Sequence, residues 1–242
     1  NGKWLRKPLQ SAAGMHIEPW SDHSSAVDTD AFYFQEKVEG EPLSAAFLAA
    51  NGSAFLIGVT RQLLLEGSLR YAGSLGPLPL CDDERSKWVS LGELFAKEFQ
   101  LVGLFGVDAI CNENGIWPVE INPRYTASME ILEAASASSL IGMHMTACRE
   151  GRLPTALATD RRIYGKQICF ARRRLHLEVD LRSRFREIAD VPQTNTNFAH
   201  GEPVVTFLRS GLAVDDVRNS LQAAVDEFRL LEQEQSATTR GS

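Results

Sequence analysis

The sequence predicts an α+β fold. Three observations predict it. The first half is a series of short apolar segments bounded by Gly, Pro and Asn, the second half mixes such segments with longer ones, and two segments carry apolar stripes at helical spacing. Composition bounds the function classes. The 242 residues carry 25 Lys and Arg against 31 Asp and Glu, a net charge of −6 with no basic block, which excludes a nucleic-acid backbone as the main partner. Apolar residues at 44% and charged residues at 23% exclude bulk disorder. No apolar run approaches the ~18–20 residues of a membrane helix, so no membrane partner is expected. Cys81, Cys111, Cys148 and Cys169 form no CxxC pair, and no signal-peptide pattern is visible; reduced thiols in a cytoplasmic protein follow.

Residues 3–17 read as a strand, a small-residue loop and a second strand, and residues 31–36 (AFYFQE) as an aromatic strand. Val38-Glu39-Gly40-Glu41-Pro42 is a turn, punctuated by Gly and Pro. Residues 43–50 and 54–62 read as a hairpin closed by Asn51-Gly52, a dipeptide that accepts positive φ at both central turn positions. Trp88, Leu91, Leu94, Phe95 and Phe99 recur at helical steps, giving a helix over 87–99. Residues 101–111 and 116–121 are two apolar strands about a turn at 112–115. Residues 128–149 are Ala-rich and read as one long helix ended by Gly151. Strands follow at 163–171 and 204–208. A last helix spans 215–233, with Val217, Leu221, Ala224, Val225, Phe228 and Leu231 as its stripe. Residues 236–242 are small and polar and are expected to fray as a flexible tail.

The segment 106–130 carries the most chemistry. Glu120 and Asn122 lie two apart, so a strand points both to one face, and Asp108 comes across a tight turn to the same face. Three converging oxygens suit Mg²⁺, a hard cation that takes a few carboxylates plus phosphate oxygens and water. Arg124 adds a planar cation suited to phosphate or carboxylate. An acid beside a turn is ordinarily just solvated. Glu-Ile-Asn-Pro-Arg closing an apolar strand is what singles this set out. Lys7 with the loop 11–14, including Ser11 and Gly14, lets backbone amides and one point charge approach a polyphosphate, although the loop lacks a P-loop's GK[ST] ending. The turn after Glu36-Lys37-Val38 offers backbone groups to a purine edge, with Glu39 and Glu41 nearby for ribose hydroxyls. The five histidines form no HxH or HExxH pair, and no GxSxG elbow exists, so hydrolysis through a nucleophilic Ser or Cys has no support.

These clusters, in this order, resemble the ATP-grasp superfamily. The resemblance implies a phosphate-binding Lys7 with Ser11 and Gly14, an adenine hinge at Glu36-Lys37-Val38, a ribose-binding acid at Glu39 or Glu41, and metal ligands Asp108, Glu120 and Asn122. It implies two α+β lobes gripping ATP with Mg²⁺, Mn²⁺ being an acceptable substitute. The lobes are expected at 1–62 (partial small lobe) and 63–235 (large lobe with a C-terminal extension). The family's N-terminal Rossmann-like domain is missing from the sequence, so the chain reads as a C-terminal portion. Many relatives carry an Arg two residues before the metal-binding Asp; here that place is Gly106, and Arg124 or Arg61 is the candidate for its charge.

The implied activity is an ATP-dependent carboxylate–amine ligase working through an acylphosphate on small-molecule carboxylate and amine substrates. Arg124 and Lys7 are its catalytic cations, and Ser128 and Glu130, with Arg124, its substrate contacts. The segments around 164–167, 189–192 and 201–206 are similar to ATP-grasp proteins of tetrahydromethanopterin-linked one-carbon metabolism, a group resembling tyramine– or tyrosine–glutamate ligases of methanofuran-type cofactor synthesis. The alternative is a non-catalytic nucleotide-binding scaffold. A carboxyphosphate-using carboxylase is a third reading, and a homodimer is compatible with all three.

Overall fold

The computed structural model describes residues 3–10, 14, 16–20, 31–136 and 138–238. Two sheets carry the candidate site. The smaller is formed by β1 (Trp4–Pro8), β2 (Glu18–Pro19) and β3 (Phe32–Glu36) in the order β2-β1-β3. Antiparallel register places Leu5, Lys7, Tyr33 and Gln35 on one of its faces, and Trp4, Arg6, Phe34 and Glu36 on the other.

The larger sheet has eight strands, every adjacent pair antiparallel. Its members in chain order are β4 (Glu41–Ala50), β5 (Ser53–Leu64), β6 (Tyr71–Gly76), β7 (Gly103–Asn112), β8 (Gly115–Asn122), β9 (Ile163–Phe170), then β11 (Ile188–Ala189) and β13 (Pro203–Gly211), with β10 (Leu175–Leu177) and β12 (Thr196–Phe198) forming a separate two-stranded ladder. The spatial order is β11-β13-β9-β6-β5-β4-β7-β8. β4 reads as a continuous apolar run because helices cover both of its faces. On one face, Leu43, Ala45, Phe47, Val59, Phe105 and Val107 pack on α1 (Asp82–Glu98) through Trp88 and Ala96. Farther along that face, Leu75 and β9 pack on Val217 and Leu221 of α4 (Val214–Thr238). On the other face, Ala46, Leu48, Ile57 and Leu104 meet Met129 and Leu132 of α2 (Met129–Ala135) and Leu140 and Ala147 of α3 (Leu140–Glu150).

Three expectations are corrected. The lobe limit expected after Gln62 lies within β5, and the β4–β5 hairpin is central to the large sheet, where β4 buries both faces. The single helix over 128–149 is two helices. Ser136 is extended (φ −107°, ψ 145°), Ser139 caps α3 by accepting from the Gly142 amide at 3.1 Å, and Glu133 Oε1 accepts from the Leu140 amide at 2.7 Å. Serines that hydrogen-bond backbone groups compete with the helix ladder, and Ser136 and Ser139 do so at this break. α1 begins at Asp82, earlier than its apolar stripe, because Glu84 reaches back to the Cys81 amide at 2.9 Å and an acidic first turn complements the helix dipole. α4 continues through Thr238, since nothing in residues 233–238 breaks a helix; residues 239–242 of the expected tail lie outside the described residues.

Candidate active site

The β7–β8 hairpin builds the acidic end of the site. Asp108 and Glu120 stand directly opposite each other in the ladder, and Asn122 stands opposite Gly106. Asn122 Nδ2 donates to Asp108 Oδ2 at 3.4 Å, and Arg124 Nη2 donates to Asn122 Oδ1 at 3.0 Å. The expected quartet is therefore brought together. Burial raises the Asp108 carboxyl above its ordinary range, and the charge of Glu120 adds to this; hydrogen bonds from Ser44 and Gln62 and the nearby Arg124 guanidinium act the other way. Among the described residues no cluster of three or more His, Cys, Asp or Glu is placed to hold a metal. Here two carboxylates face each other, a donor set for a cation that completes its shell with phosphate and water, while Asn122 turns its amide nitrogen to Asp108 and its oxygen to Arg124. Two facing acids, one with its ionisation already suppressed, fit a divalent cation.

The acids belong to a longer polar row. Ser44 stands opposite Asp108 on one side and Thr60 on the other. Two residues along β5, on the same face, Gln62 stands opposite Ser74, and Ser74 opposite Lys166. The row thus crosses six strands from Glu120 to Lys166. Next to it, this same face is apolar and covered by α2 and α3. Tyr71 lies along the row: its hydroxyl hydrogen-bonds Ser74 Oγ at 2.7 Å, burial pushes its phenol well above the usual range, and Glu130 and Asp108 both add to that push. Lys166 Nζ meets Glu130 Oε2 at 2.5 Å.

The remaining expected residues divide. Ser128 is buried, its hydroxyl 3.0 Å from Thr126 Oγ1 and 3.2 Å from Ser44 Oγ. It ties the start of α2 to the row. Glu130, two residues on, is exposed. Arg61 is not brought to the acids. It shares a row with Leu43 and Leu75 on the opposite face, the one that packs on α1 and α4, and pairs there with Glu41. Arg124 is thus the expected cation that lies at the acids. Gly106 has no room for an Arg, because a Cβ there would lie 2.8 Å from Thr126 Cγ2.

Lys7 projects from the small sheet, donating to Gln35 Oε1 at 3.0 Å with Nζ 5.6 Å from the Tyr33 ring centre. Ser11 lies outside the described residues. Gly14, at φ 73°, abuts the Leu69 carbonyl, so the loop's end meets the β5–β6 turn two residues before Tyr71. The hinge is anchored on the end of β7. Gly40 (φ 157°) abuts the Cys111 carbonyl, and Asn112 Nδ2 donates to the Glu39 carbonyl at 2.8 Å. Glu36 stands opposite Trp4 on the face away from Lys7, and the Lys37 amide donates to the Lys3 carbonyl. Lys37 Nζ pairs with Glu39 at 2.6 Å. Sequence reasoning did not single out Lys166, Tyr71, Ser44 or Gln62. A charged residue in the middle of the apolar strand Ile163–Phe170 was the visible signal for Lys166.

A sequence profile described as the ATP-grasp domain matches residues 1–128, just over half of the chain. The chain belongs to the ATP-grasp family. An uncharacterized protein of Methanocaldococcus jannaschii is 26% identical over 196 residues, 80% of this chain and 45% of that protein, so the chain spans about half of that relative's length. Among solved structures, an L-amino acid ligase from Bacillus licheniformis superposes with a TM-score of 0.76 at 10% identity, covering 93% of this chain and 62% of that one. Phosphoribosylglycinamide synthetase from Anaerococcus prevotii gives 0.65 at 13%, covering 93% and 63%. The biotin carboxylase domain of Hydrogenobacter thermophilus 2-oxoglutarate carboxylase, a dimer holding MgADP and bicarbonate, gives 0.68 at 14%, covering 91% and 56%. These likenesses carry the ATP-grasp fold to nearly the whole chain.

Proposed function

We propose that this ATP-grasp chain is an ATP-dependent carboxylate–amine ligase. The observation that carries the reading is the register-aligned Asp108–Glu120 pair, with Asn122 and Arg124 bonded to it, heading a polar row on an otherwise apolar sheet face. A substrate carboxylate oxygen attacks the γ-phosphorus of ATP, the bond to the β-bridging oxygen breaks, and ADP leaves. The amine nitrogen then attacks the acyl carbon, loses a proton, and displaces phosphate. Bringing two anions together calls for positioning and charge neutralisation more than covalent help. Asp108, Glu120 and Asn122 would hold Mg²⁺, which neutralises phosphate charge when bound. Arg124 holds the transferring phosphoryl group or the incoming carboxylate, Lys7 the remaining phosphates, and the backbone at 37–40 the purine, with Glu39 or Glu41 for the ribose. We place the lobe division at this hinge, leaving residues 3–36 in the small lobe, and the reaction in the cytoplasm.

Amine- and carboxylate-dependent ADP release tests the reading; release driven by bicarbonate without amine would move it to a carboxylase. MgATP binding without turnover on any acid and amine would favour the scaffold. Gly106 does not favour it, because Thr126 occupies the space that an Arg would need. The narrower reading, a ligase of methanofuran-type cofactor synthesis, draws its support from the C-terminal segments, and L-glutamate with tyramine or tyrosine tests it. Lys7→Ala is expected to weaken ATP about 10- to 100-fold, the worth of one charge-assisted bond, and to leave Mg²⁺ affinity unaltered. Calorimetric titration reads both; equal ATP affinity would remove Lys7 from the phosphate site.

A further inference from the structure

The ligase reading leaves a buried cation unused. Lys166 is 6% exposed and is the one buried cation among the described residues. It sits mid-strand in β9, at the end of the polar row away from Asp108 and Glu120. Burying an ammonium is costly unless it is paired, and an apolar side chain of similar volume would serve packing at least as well. Its partner is Glu130 Oε2 at 2.5 Å, on a side chain 54% exposed to solvent. The pair therefore joins a fixed, buried cation to an acid reachable from outside. Glu130 lies six residues past Arg124, and both Glu130 and Asp108 raise the Tyr71 phenol, so the pair opens onto the same floor as the acids.

We infer that Lys166 and Glu130 recognise the carboxylate and ammonium of an α-amino acid, the acid substrate of the ligase; the inference rests on that reading. An ion pair of this kind is complementary to a zwitterion. When the amino acid enters, its carboxylate takes Lys166 and its ammonium takes Glu130, and no charge is left without a partner. The corresponding acid without its amino group strips Glu130 from Lys166 and gives Glu130 nothing in return. A simple amine leaves Lys166 buried and unpaired. The site thus selects the substrate that carries both charges.

The test begins with calorimetric titration of MgADP into the intact protein. ADP release is then followed with each of the twenty L-amino acids and with the acid lacking the α-amino group, such as glutarate for glutamate and propionate for alanine, with hydroxylamine as the amine. At least one amino acid is expected to stimulate release with a KM about tenfold or more below that of its des-amino analogue. Glu130→Gln, a change at an exposed side chain, closes that gap. Lys166→Met raises the amino acid's KM about tenfold or more, while MgADP affinity stays within about twofold. A gap that persists in Glu130→Gln, an unaltered KM in Lys166→Met, or MgADP binding with no response to any amino acid would overturn the inference alone. No MgADP binding by the unaltered protein would overturn the ligase reading and this inference with it.

Discussion

Asp108→Asn is expected to lower ADP release by about 10²–10³-fold and, in EDTA, to raise the melting temperature. Both effects have one cause. The Asp108 carboxyl is raised above its ordinary value of 3.8, first by burial and then by Glu120, so its charged form is unfavourable in the folded protein without metal. The asparagine removes that charge and keeps the shape. The sign with pH follows from linkage: the folded protein holds the Asp108 proton more tightly than the unfolded chain does. The penalty is full at neutral pH, shrinks as pH falls through the raised folded value, and is gone below about 3.8. Thermal melts of both proteins from pH 4 to 8 in EDTA should therefore converge toward acid. Adding MgADP should reverse the order, because a ligand stabilises only the form that binds it. A variant less stable than the parent in EDTA would mean that Asp108 is a structural group.

Phe47→Ala is expected to cost about 3–5 kcal/mol of folding stability. Phe47 is fully buried and stacked on Phe105, ring centres 5.0 Å apart at 15°. Its ring occupies the place where a Cβ on Gly92 of α1 would stand. That juxtaposition predicts a reversal of sign. In the parent, Gly92→Ala overpacks the ring and destabilises by about 1–3 kcal/mol despite the better helix propensity of alanine. In the Phe47→Ala background the same change fills part of the cavity and stabilises the helix, so it becomes favourable. Urea denaturation of the four proteins reads the cycle. Additive effects would mean that α1 moves freely over β4.

How far the molecule was legible in its sequence depends on the range of the interactions. The Asn51-Gly52 hairpin was legible because the signal is local: both residues take positive φ, 52° and 75°. Asp108, Glu120 and Asn122 were legible because strand alternation and one short turn decide which face they share. β6 was not. Its sequence Tyr-Ala-Gly-Ser-Leu-Gly has little strand character, and it is held as a strand by β5 and β9 on either side, with Gly73 abutting the Lys166 carbonyl. The break between α2 and α3 was hidden because alanines favour helix, while the Glu133 and Ser139 hydrogen bonds that end and restart it become decisive only once the chain is folded. Lys166 is a charge in an apolar strand, a local signal that went unused, and its partner is 36 residues away in α2, where no spacing rule connects them. Arg61 shows how one residue along a strand exchanges faces: Thr60 and Gln62 join the row, and Arg61 between them does not.

The central claim is that the acids of the β7–β8 hairpin hold the metal of a bound nucleotide above the polar row. A crystal structure with MgADP tests it most directly. The account predicts Mg²⁺ at about 2.0–2.1 Å from carboxylate oxygens of Asp108 and Glu120, bridging them to the diphosphate, with the purine against the backbone at 37–40. A nucleotide bound elsewhere, or a metal that touches neither carboxylate, would contradict it.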